Sequence, residues 1–337
     1  MSNKTFSNIL ILGFFVLVLG FIIRVFSGNF QTENKINHSP KLVVGIVVDQ
    51  MKMEYLYRFS DDFSANGFKR IIDNGYSFEN MHFNYMPTYT GPGHSSIYTG
   101  TTPSIHGIVG NDWFNRSTGK EMYCTDDASV HTIGDGKPDE GEMSPKNLQT
   151  TTITDELRMQ TNFKGKVLGI SLKDRGAILP AGHFANWAFW YSNTGAFISS
   201  SFYGEKLPEW VSKFNNEKHY MPYINKGWDL FKPISTYDNS LQDNNPYEGK
   251  LYGSSAPVFP YNLKEMYEKN GASIIRSTPF GNDLLAEFAM QTINNEELGK
   301  DNITDFLTLS FSSTDYVGHL TGPRSVETQD TYLRLDK

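Results

Sequence analysis

The sequence lacks cysteine pairs, a surplus of basic residues and internal repeats. Because Cys124 is the single cysteine among the 337 residues, an intrachain disulfide is excluded. The 37 acidic residues outnumber the 30 basic ones and give a net charge of −7, whereas a general nucleic-acid-binding protein usually presents a basic face. The length allows one large α/β domain with insertions, or two domains. We therefore expect no disulfide framework and no nucleic-acid partner.

The sequence also lacks an apolar run long enough to cross a bilayer as a helix. Residues 9–23 are apolar, and as a helix they would measure about 22 Å against a hydrocarbon core of about 30 Å. That size is typical of a signal peptide, although no clear cleavage site follows. We predict a signal peptide or signal anchor at residues 1–28, a linker at residues 29–40 and an exported, periplasmic chain. Contact with a membrane is expected only through this segment, if it stays uncleaved.

Three segments predict strands of a parallel sheet. Residues 42–48 form a continuous β-branched run, which is typical of a strand buried on both faces. Residues 166–172 predict a second buried strand, and residues 305–311 predict a third strand. The first ends at Asp49, the second at Lys173 and the third shortly before Asp315. Ligands of open α/β sheets bind beyond the carboxyl ends of the strands, so these side chains are predicted to share one sheet edge. Taken alone, Asp49 could equally cap the helix that follows it.

A hydroxyl side chain, Thr90, stands directly before a Gly-Pro-Gly sequence. Pro92 favours a helix start and Gly100 favours a helix end, so we predict a short helix over residues 94–99. The Thr90 hydroxyl would then lie at a helix N-terminus, where unpaired backbone N–H groups favour an anion. Such a hydroxyl suits phosphoryl or sulfuryl transfer, and the alternative is that it only caps the helix.

Charged residues after the second and third strands complete the set of candidates. Lys173 offers a point charge and Arg175 offers a planar guanidinium, and both suit phosphoryl oxygens. The alternative is that they are two cations on a solvent-exposed loop. Asp315 and His319 stand four residues apart, so on one helical turn they can converge on one ion. The alternative for this second pair is an ion pair on a helix surface.

Aromatic residues are concentrated in residues 185–270. The segment shows only weak periodicity, and we predict an inserted cap whose aromatic side chains form a small core of their own. A role for some of these side chains in substrate binding stays open.

Five motifs follow one another along the chain. They read VVDQM, MPTYTGPGHSSIYTG, HGIVGNDWF, SLKDRGAILPAGH and SSTDYVGH. In their order and approximate spacing, they resemble the alkaline phosphatase superfamily. The similarity is to phosphate-irrepressible alkaline phosphatases with a threonine nucleophile, which are related to the nucleotide pyrophosphatase/phosphodiesterases. The resemblance extends from residue 41 onward.

The resemblance implies an α/β three-layer sandwich with a mostly parallel central sheet and an inserted cap. It also implies hydrolysis of small phosphate monoesters through a phosphothreonine at Thr90, with Thr88 as the competing hydroxyl. Two zinc ions are implied as cofactors. The implied site residues are Asp49 and Thr90 on one zinc, Asp315 and His319 on the other, and Asn111, Lys173 and Arg175 around the phosphoryl oxygens.

The sequence departs from the family pattern in its number of metal ligands. A catalytic zinc usually has about three protein ligands, and this chain supplies two for each ion. The family's further Asp-His pair and His would lie beyond Lys337, so we expect a truncated chain. A phosphodiesterase or nucleotide pyrophosphatase is the alternative enzyme, and an inactive exported binding protein is the alternative outside enzymes. A sulfatase is disfavoured because its C/S-x-P-x-R motif is absent around Thr90.

Overall fold

The computed structural model describes residues 39–337. The predicted signal segment at residues 1–28 lies outside the described residues. Within the described part of the chain, no helix is long and apolar enough to cross a membrane. Pro40–Lys337 form one compact unit.

The main sheet has parallel strands at one side and antiparallel strands at the other. The strands are β1 (Leu42–Val48), β2 (Asp112–Asn115), β3 (Lys120–Tyr123), β4 (Thr132–Ile133), β5 (Val167–Ser171), β6 (Trp187–Tyr191), β7 (Phe197–Ser200) and β8 (Asp305–Phe311). Strands β2 and β3 form an antiparallel pair, and the other six are ordered β1-β8-β5-β6-β7-β4. Strands β1, β8, β5 and β6 run parallel, whereas β7 and β4 pair antiparallel with their neighbours. The sheet is therefore mostly parallel, as predicted.

Helices occupy most of the connections between the strands. They are α1 (Met53–Arg58), α2 (Phe68–Asn74), α3 (Thr90–Thr99), α4 (Pro103–His106), α5 (Ile153–Gln160), α6 (Asp174–Ala181), α7 (Glu209–Glu217), α8 (Met221–Lys226), α9 (Leu263–Asn270), α10 (Phe280–Asn295), α11 (Ser313–Thr321) and α12 (Val326–Asp336). Helix α3 begins four residues earlier than predicted and ends, as predicted, at Gly100, which has φ 66°. Glycine adopts this left-handed conformation at little cost.

Both faces of the sheet are covered, because neighbouring residues of one strand pack into different cores. In β6, Phe189 and Tyr191 belong to a core that includes side chains of α10. Ala188 and Trp190 belong to another core, which includes side chains of α6. Successive strand residues point to opposite faces, so the layers are helix, sheet and helix, the α/β architecture expected from the family resemblance.

The aromatic segment at residues 185–270 does not form a core of its own. Its first part contains β6 and β7, which are strands of the main sheet. Trp228 and Tyr261 lie in the same core as Leu168 of β5. Because large aromatic side chains bury well against a sheet, they complete the main core, and the prediction of a separate core is wrong. The limits of an inserted cap stay a prediction.

Strand β1 is less buried than its apolar sequence predicts. The exposed fractions of Val44 and Ile46 are 42% and 56%. Among the described residues, β1 is an edge strand of the main sheet that pairs with β8 alone. On its other face, Tyr98 of α3 donates a hydrogen bond to the Gly45 carbonyl at 3.1 Å. The prediction of burial on both faces is therefore wrong for β1, and it is confirmed for β5, whose residues are all buried.

Strand β5 and helix α6 pack closely against each other. A Cβ atom at Gly169 would lie 2.2 Å from the Ala177 carbonyl oxygen, so no larger residue fits between the strand and the helix. Lys173 stands at the N-terminal cap position of α6. Lys173 therefore lies in the short link between the two packed elements, beyond the carboxyl end of β5.

Candidate active site

The predicted sheet edge exists, and three charged side chains meet there. Asp49 follows β1, Lys173 follows β5, and Asp315 lies in the first turn of α11 after β8. Strand β8 pairs with both β1 and β5 in parallel register, so the three strand ends are neighbours. All three side chains are buried. We refer to Asp49, Lys173 and Asp315 as the charge cluster.

Lys173 joins the two carboxylates of the charge cluster. Its Nζ lies 2.6 Å from Asp49 Oδ2 and 2.5 Å from Asp315 Oδ2. Burial alone would raise the pKa of the Asp49 carboxyl, but several contributions together more than offset this. The charge of Lys173 is the largest of them, and its hydrogen bond and the charge of Arg175 add to it. The pKa of Asp49 therefore lies below its ordinary value, and its carboxylate stays ionised. The alternative, in which Lys173 is one of two cations on a solvent-exposed loop, is therefore excluded for Lys173.

Thr90 stands beside the charge cluster at the N-terminus of α3. Its Oγ1 lies 3.3 Å from Asp49 Oδ2 and 3.4 Å from Lys173 Nζ. The cap position is occupied by Tyr89, whose side chain makes no capping hydrogen bond. Thr90 is buried, whereas the competing Thr88 is exposed. The hydroxyl therefore faces the charge cluster instead of acting as a helix cap.

Asp49 is likewise not a helix cap. The cap position of α1 is occupied by Lys52, and no side chain caps that helix. Both carboxylate oxygens of Asp49 are directed at groups of the site, because Oδ1 also lies 3.5 Å from Thr90 Oγ1.

Asn111 contacts the first turn of α3. Its Oδ1 accepts a hydrogen bond from the Gly91 backbone N–H at 2.8 Å. A Cβ atom at residue 91 would lie 3.2 Å from the same oxygen, so glycine permits this approach. The side-chain amide of Asn111 is thereby fixed next to Thr90.

Arg175 is held by a residue that the sequence analysis missed. Its Nη1 donates to Tyr123 Oη at 2.7 Å, and Tyr123 Oη donates to Asp174 Oδ1 at 2.8 Å. Burial, together with the nearby charge of Asp174, raises the pKa of the Tyr123 hydroxyl, which stays neutral. Tyr123 lies on β3, far from Arg175 in sequence, and no local pattern connects the two residues.

Asp315 and His319 are neighbours on one turn of α11, as their spacing predicted. His319 Nε2 lies 3.2 Å from Asp315 Oδ1, and the His319 side chain is 72% exposed. Gln50 also donates from Nε2 to Asp315 Oδ1 at 3.0 Å. The sequence analysis missed Gln50, although it directly follows Asp49.

A buried histidine, also missed, connects α3 with β8. His94 Nδ1 lies 2.8 Å from the Thr90 carbonyl oxygen, and Nε2 lies 2.8 Å from Ser310 Oγ. Burial lowers the pKa of His94, so its ring is neutral near pH 7. Its position four residues after Thr90 was the available sequence signal, because residues at this spacing share a helix face.

The donors at this site fit zinc in kind. Asp49, Thr90, Asp315 and His319 offer oxygen and nitrogen atoms, which zinc accepts. Within residues 39–337, however, no group of three or more His, Cys, Asp or Glu side chains is arranged to hold a metal ion. The donors therefore fall short of the three protein ligands typical of a catalytic zinc.

Comparison with known proteins agrees with this architecture. A crystal structure of the alkaline phosphatase PafA superposes with a TM-score of 0.86 at 50% sequence identity, over 88% of this chain and 57% of that chain. This match shows an alkaline-phosphatase-like α/β fold.

Curated relatives carry two kinds of name. Alkaline phosphatase PafA of Elizabethkingia meningoseptica is 50% identical over 301 residues, and alkaline phosphatase PhoV of Synechococcus elongatus is 52% identical over 299 residues. A protein of Myroides odoratus named calcium-transporting ATPase is 52% identical over 301 residues. Each alignment covers 88% of this chain and 54–55% of the relative, so the chain spans about half the length of the curated relatives it matches. A family model described as type I phosphodiesterase / nucleotide pyrophosphatase matches residues 43–337, and the chain belongs to this family.

Proposed function

We propose that the complete protein hydrolyses small phosphate monoesters, with Thr90 as nucleophile. One observation carries this proposal: a buried threonine hydroxyl at a helix N-terminus lies 3.3 Å from a carboxylate and 3.4 Å from an ammonium group. The names of the relatives PafA and PhoV support the same activity. The N-terminal segment is proposed to export the protein.

In the proposed reaction, Thr90 Oγ1 loses its proton and attacks phosphorus, the bond from phosphorus to the ester oxygen breaks, and a phosphothreonine forms. The leaving oxygen takes up a proton and departs as the alcohol. Water then attacks the phosphothreonine, releases inorganic phosphate and restores Thr90. The non-bridging phosphoryl oxygens are proposed to be contacted by Lys173, Arg175 and the side-chain amide of Asn111. Positioned charges of this kind usually supply the largest share of the rate enhancement.

Two zinc ions are part of the proposal, with Asp49 and Thr90 as donors to one and Asp315 and His319 as donors to the other. Bound zinc would favour ionisation of the Thr90 hydroxyl and offset negative charge at phosphorus. The hydrogen bond to Asp49 orients Thr90 Oγ1, and the buried position of Thr90 restricts access of competing water.

The nucleophile is tested by trapping the covalent intermediate in the complete protein. After reaction with an aryl phosphate and an acid quench, mass spectrometry should locate a phosphoryl group on Thr90. Thr90→Ala should abolish it, and Thr90→Ser should retain it because the hydroxyl survives. The control is Thr88→Ala, at the neighbouring exposed hydroxyl. A phosphoryl group that persists in Thr90→Ala and disappears in Thr88→Ala would assign the nucleophile to Thr88.

A phosphodiesterase is the second candidate, because the matching family model carries that name. A monoester dianion presents three non-bridging oxygens and two charges, whereas a diester presents two oxygens and one charge. Lys173 and Arg175 therefore favour the monoester. Charge-assisted contacts contribute about 1.5–3 kcal/mol each, so removal of both should cost the monoester several powers of ten in rate.

The comparison uses kcat/KM for an aryl monoester and its methyl diester. Wild type should prefer the monoester, and Lys173→Ala/Arg175→Ala should lose monoesterase activity far more than diesterase activity. Equal losses on both substrates would favour the phosphodiesterase.

A further inference from the structure

A cavity of about 230 Å³ adjoins the proposed phosphoryl-binding residues. Lys173 and Arg175 form part of its wall, and Trp190, Asn193 and Arg276 form another part. The reaction proposed for Thr90 assigns no role to these last three residues. Because Lys173 also contacts Asp49, the cavity borders the charge cluster at that side chain.

Arg276 is anchored in this wall by neutral groups. Its Nη1 donates to Asn193 Oδ1 at 2.8 Å, and its Nη2 donates to the Tyr191 carbonyl oxygen. The guanidinium also stacks on the Tyr191 ring, with 5.5 Å between its central carbon and the ring centroid. Its Nε is buried and has no hydrogen-bond partner among residues 39–337. The side chain is thus held in place with donor capacity left over, since a guanidinium carries five N–H donors.

No carboxylate neutralises Arg276 within residues 39–337, in contrast to the other cations of the cavity. Lys173 lies against two carboxylates, and Arg175 Nη1 lies 3.8 Å from Asp174 Oδ1. The second carboxylate of the cavity wall, Glu140, is occupied by the backbone N–H groups of Lys137 and Asn193, both at 2.8 Å. The guanidinium of Arg276 is therefore the cation in this wall that lacks a counter-ion.

We infer that Arg276 is a second anion site, which binds a carboxylate carried by the alcohol part of the substrate. The planar fork of arginine matches the two oxygens of a carboxylate, and the aromatic wall at Trp190 provides an apolar surface for the short carbon chain. This inference rests on the proposed phosphatase function and narrows its substrate class. The preferred substrates are phosphate monoesters of small hydroxy acids.

Binding of two matched esters tests the inference without relying on turnover. 2-Phosphoglycolate and ethyl phosphate have the same phosphoryl group and differ in a carboxylate against a methyl group. Both are titrated calorimetrically into the complete protein carrying Thr90→Ala, which cannot form the phosphothreonine, with zinc chloride present. This protein, which is wild type at residues 193 and 276, should bind 2-phosphoglycolate about tenfold more tightly than ethyl phosphate, a difference of about 1.4 kcal/mol.

Two variants should reduce this ratio to about one. Arg276→Gln removes the charge. Asn193→Asp keeps Arg276 but places a carboxylate at the exposed position that contacts its Nη1, so it tests the same idea if Arg276→Gln fails to fold.

The matched control is Arg158→Gln. Arg158 also donates to backbone carbonyl groups and stacks on an aromatic ring, that of Phe163, but it does not line the cavity. Its replacement should leave the ratio unchanged.

Four results would overturn the inference. A ratio near one in the Thr90→Ala protein, or the same ratio in that protein, Arg276→Gln and Asn193→Asp, would remove the carboxylate site and leave the phosphatase proposal intact. If the affinity ratio fell as much in Arg158→Gln as in Arg276→Gln, general destabilisation of the protein would explain the fall. If the Thr90→Ala protein bound neither ester, the phosphoryl site would fail, and the carboxylate site with it.

Discussion

Replacement of Lys173 by methionine should destabilise the folded chain strongly. The change removes an ammonium group that lies 2.6 Å and 2.5 Å from two carboxylates, and it leaves an apolar side chain of similar length. The side chains of Asp49 and Asp315 are only 10% and 12% exposed, so water replaces the lost charge poorly. Loss of one partner from a buried ion pair costs about 3–5 kcal/mol. We expect about 3 kcal/mol, near the lower limit of that range, because both carboxylates keep some solvent contact.

The assay is urea unfolding of the 337-residue chain, followed by tryptophan fluorescence, with EDTA present to remove metal ions. A loss of about 3 kcal/mol is roughly a hundredfold change in the folding equilibrium. The matched control is Lys146→Met, because Lys146 lies 3.1 Å from Asp127 but its side chain is 59% exposed. The Asp127 carboxylate is buried, but it keeps hydrogen bonds from the Ser129 and Ser144 hydroxyls when Lys146 is replaced, so the loss of this exposed lysine should cost about 0–1 kcal/mol.

A double-mutant cycle decides whether the cost is electrostatic. Asp49→Asn in the Lys173→Met background should recover part of the loss, because it removes one of the unpaired carboxylates. If Lys173→Met and Lys146→Met cost the same, or if the two changes in the charge cluster are additive, the pairing of Lys173 with Asp49 does not stabilise the fold.

Two further predictions concern buried side chains away from the charge cluster, Tyr123 and Glu327. Tyr123→Phe should lower the monoester kcat/KM of the complete enzyme about tenfold, because it removes the hydrogen bond that holds Arg175. The control is Tyr203→Phe, which should have little effect because the buried Tyr203 hydroxyl has no hydrogen-bond partner among the described residues. Burial, with the nearby Asp243, raises the pKa of Glu327 to about 7, so the free energy of unfolding should fall as pH rises from the carboxyl's ordinary value to about 7. Urea midpoints should show a flatter pH dependence in Glu327→Gln, and an unchanged slope would contradict the assigned pKa.

The parallel core of the fold could be predicted from local sequence. Strands β1 and β8 have the predicted limits, because each is a seven-residue segment rich in apolar residues that shows no helical periodicity. Their order in the sheet did not need to be known to place the site. Since the carboxyl ends of parallel strands meet at one edge, the positions of Asp49, Lys173 and Asp315 in the sequence already predicted their meeting.

What could not be predicted depends on contacts between distant residues. Strand β6 is a run of aromatic residues, and that composition suits a separate cap as well as a strand of the main sheet. Its assignment is decided by pairing with β5, which the sequence of β6 does not encode by itself. The contact between Tyr123 and Arg175 likewise joins residues 52 positions apart.

The charge cluster itself argues for added positive charge at this site. Asp49, Asp315 and Lys173 sum to a charge of −1 when all three are ionised, and Arg175 is partly offset by Asp174. A phosphate monoester dianion would therefore meet two buried carboxylates with a single ammonium shared between them. Repulsion between the dianion and these carboxylates is strong where solvent is excluded. Binding of the dianion thus calls for cations beyond these side chains. Added positive charge of this kind is what the proposed zinc ions would supply.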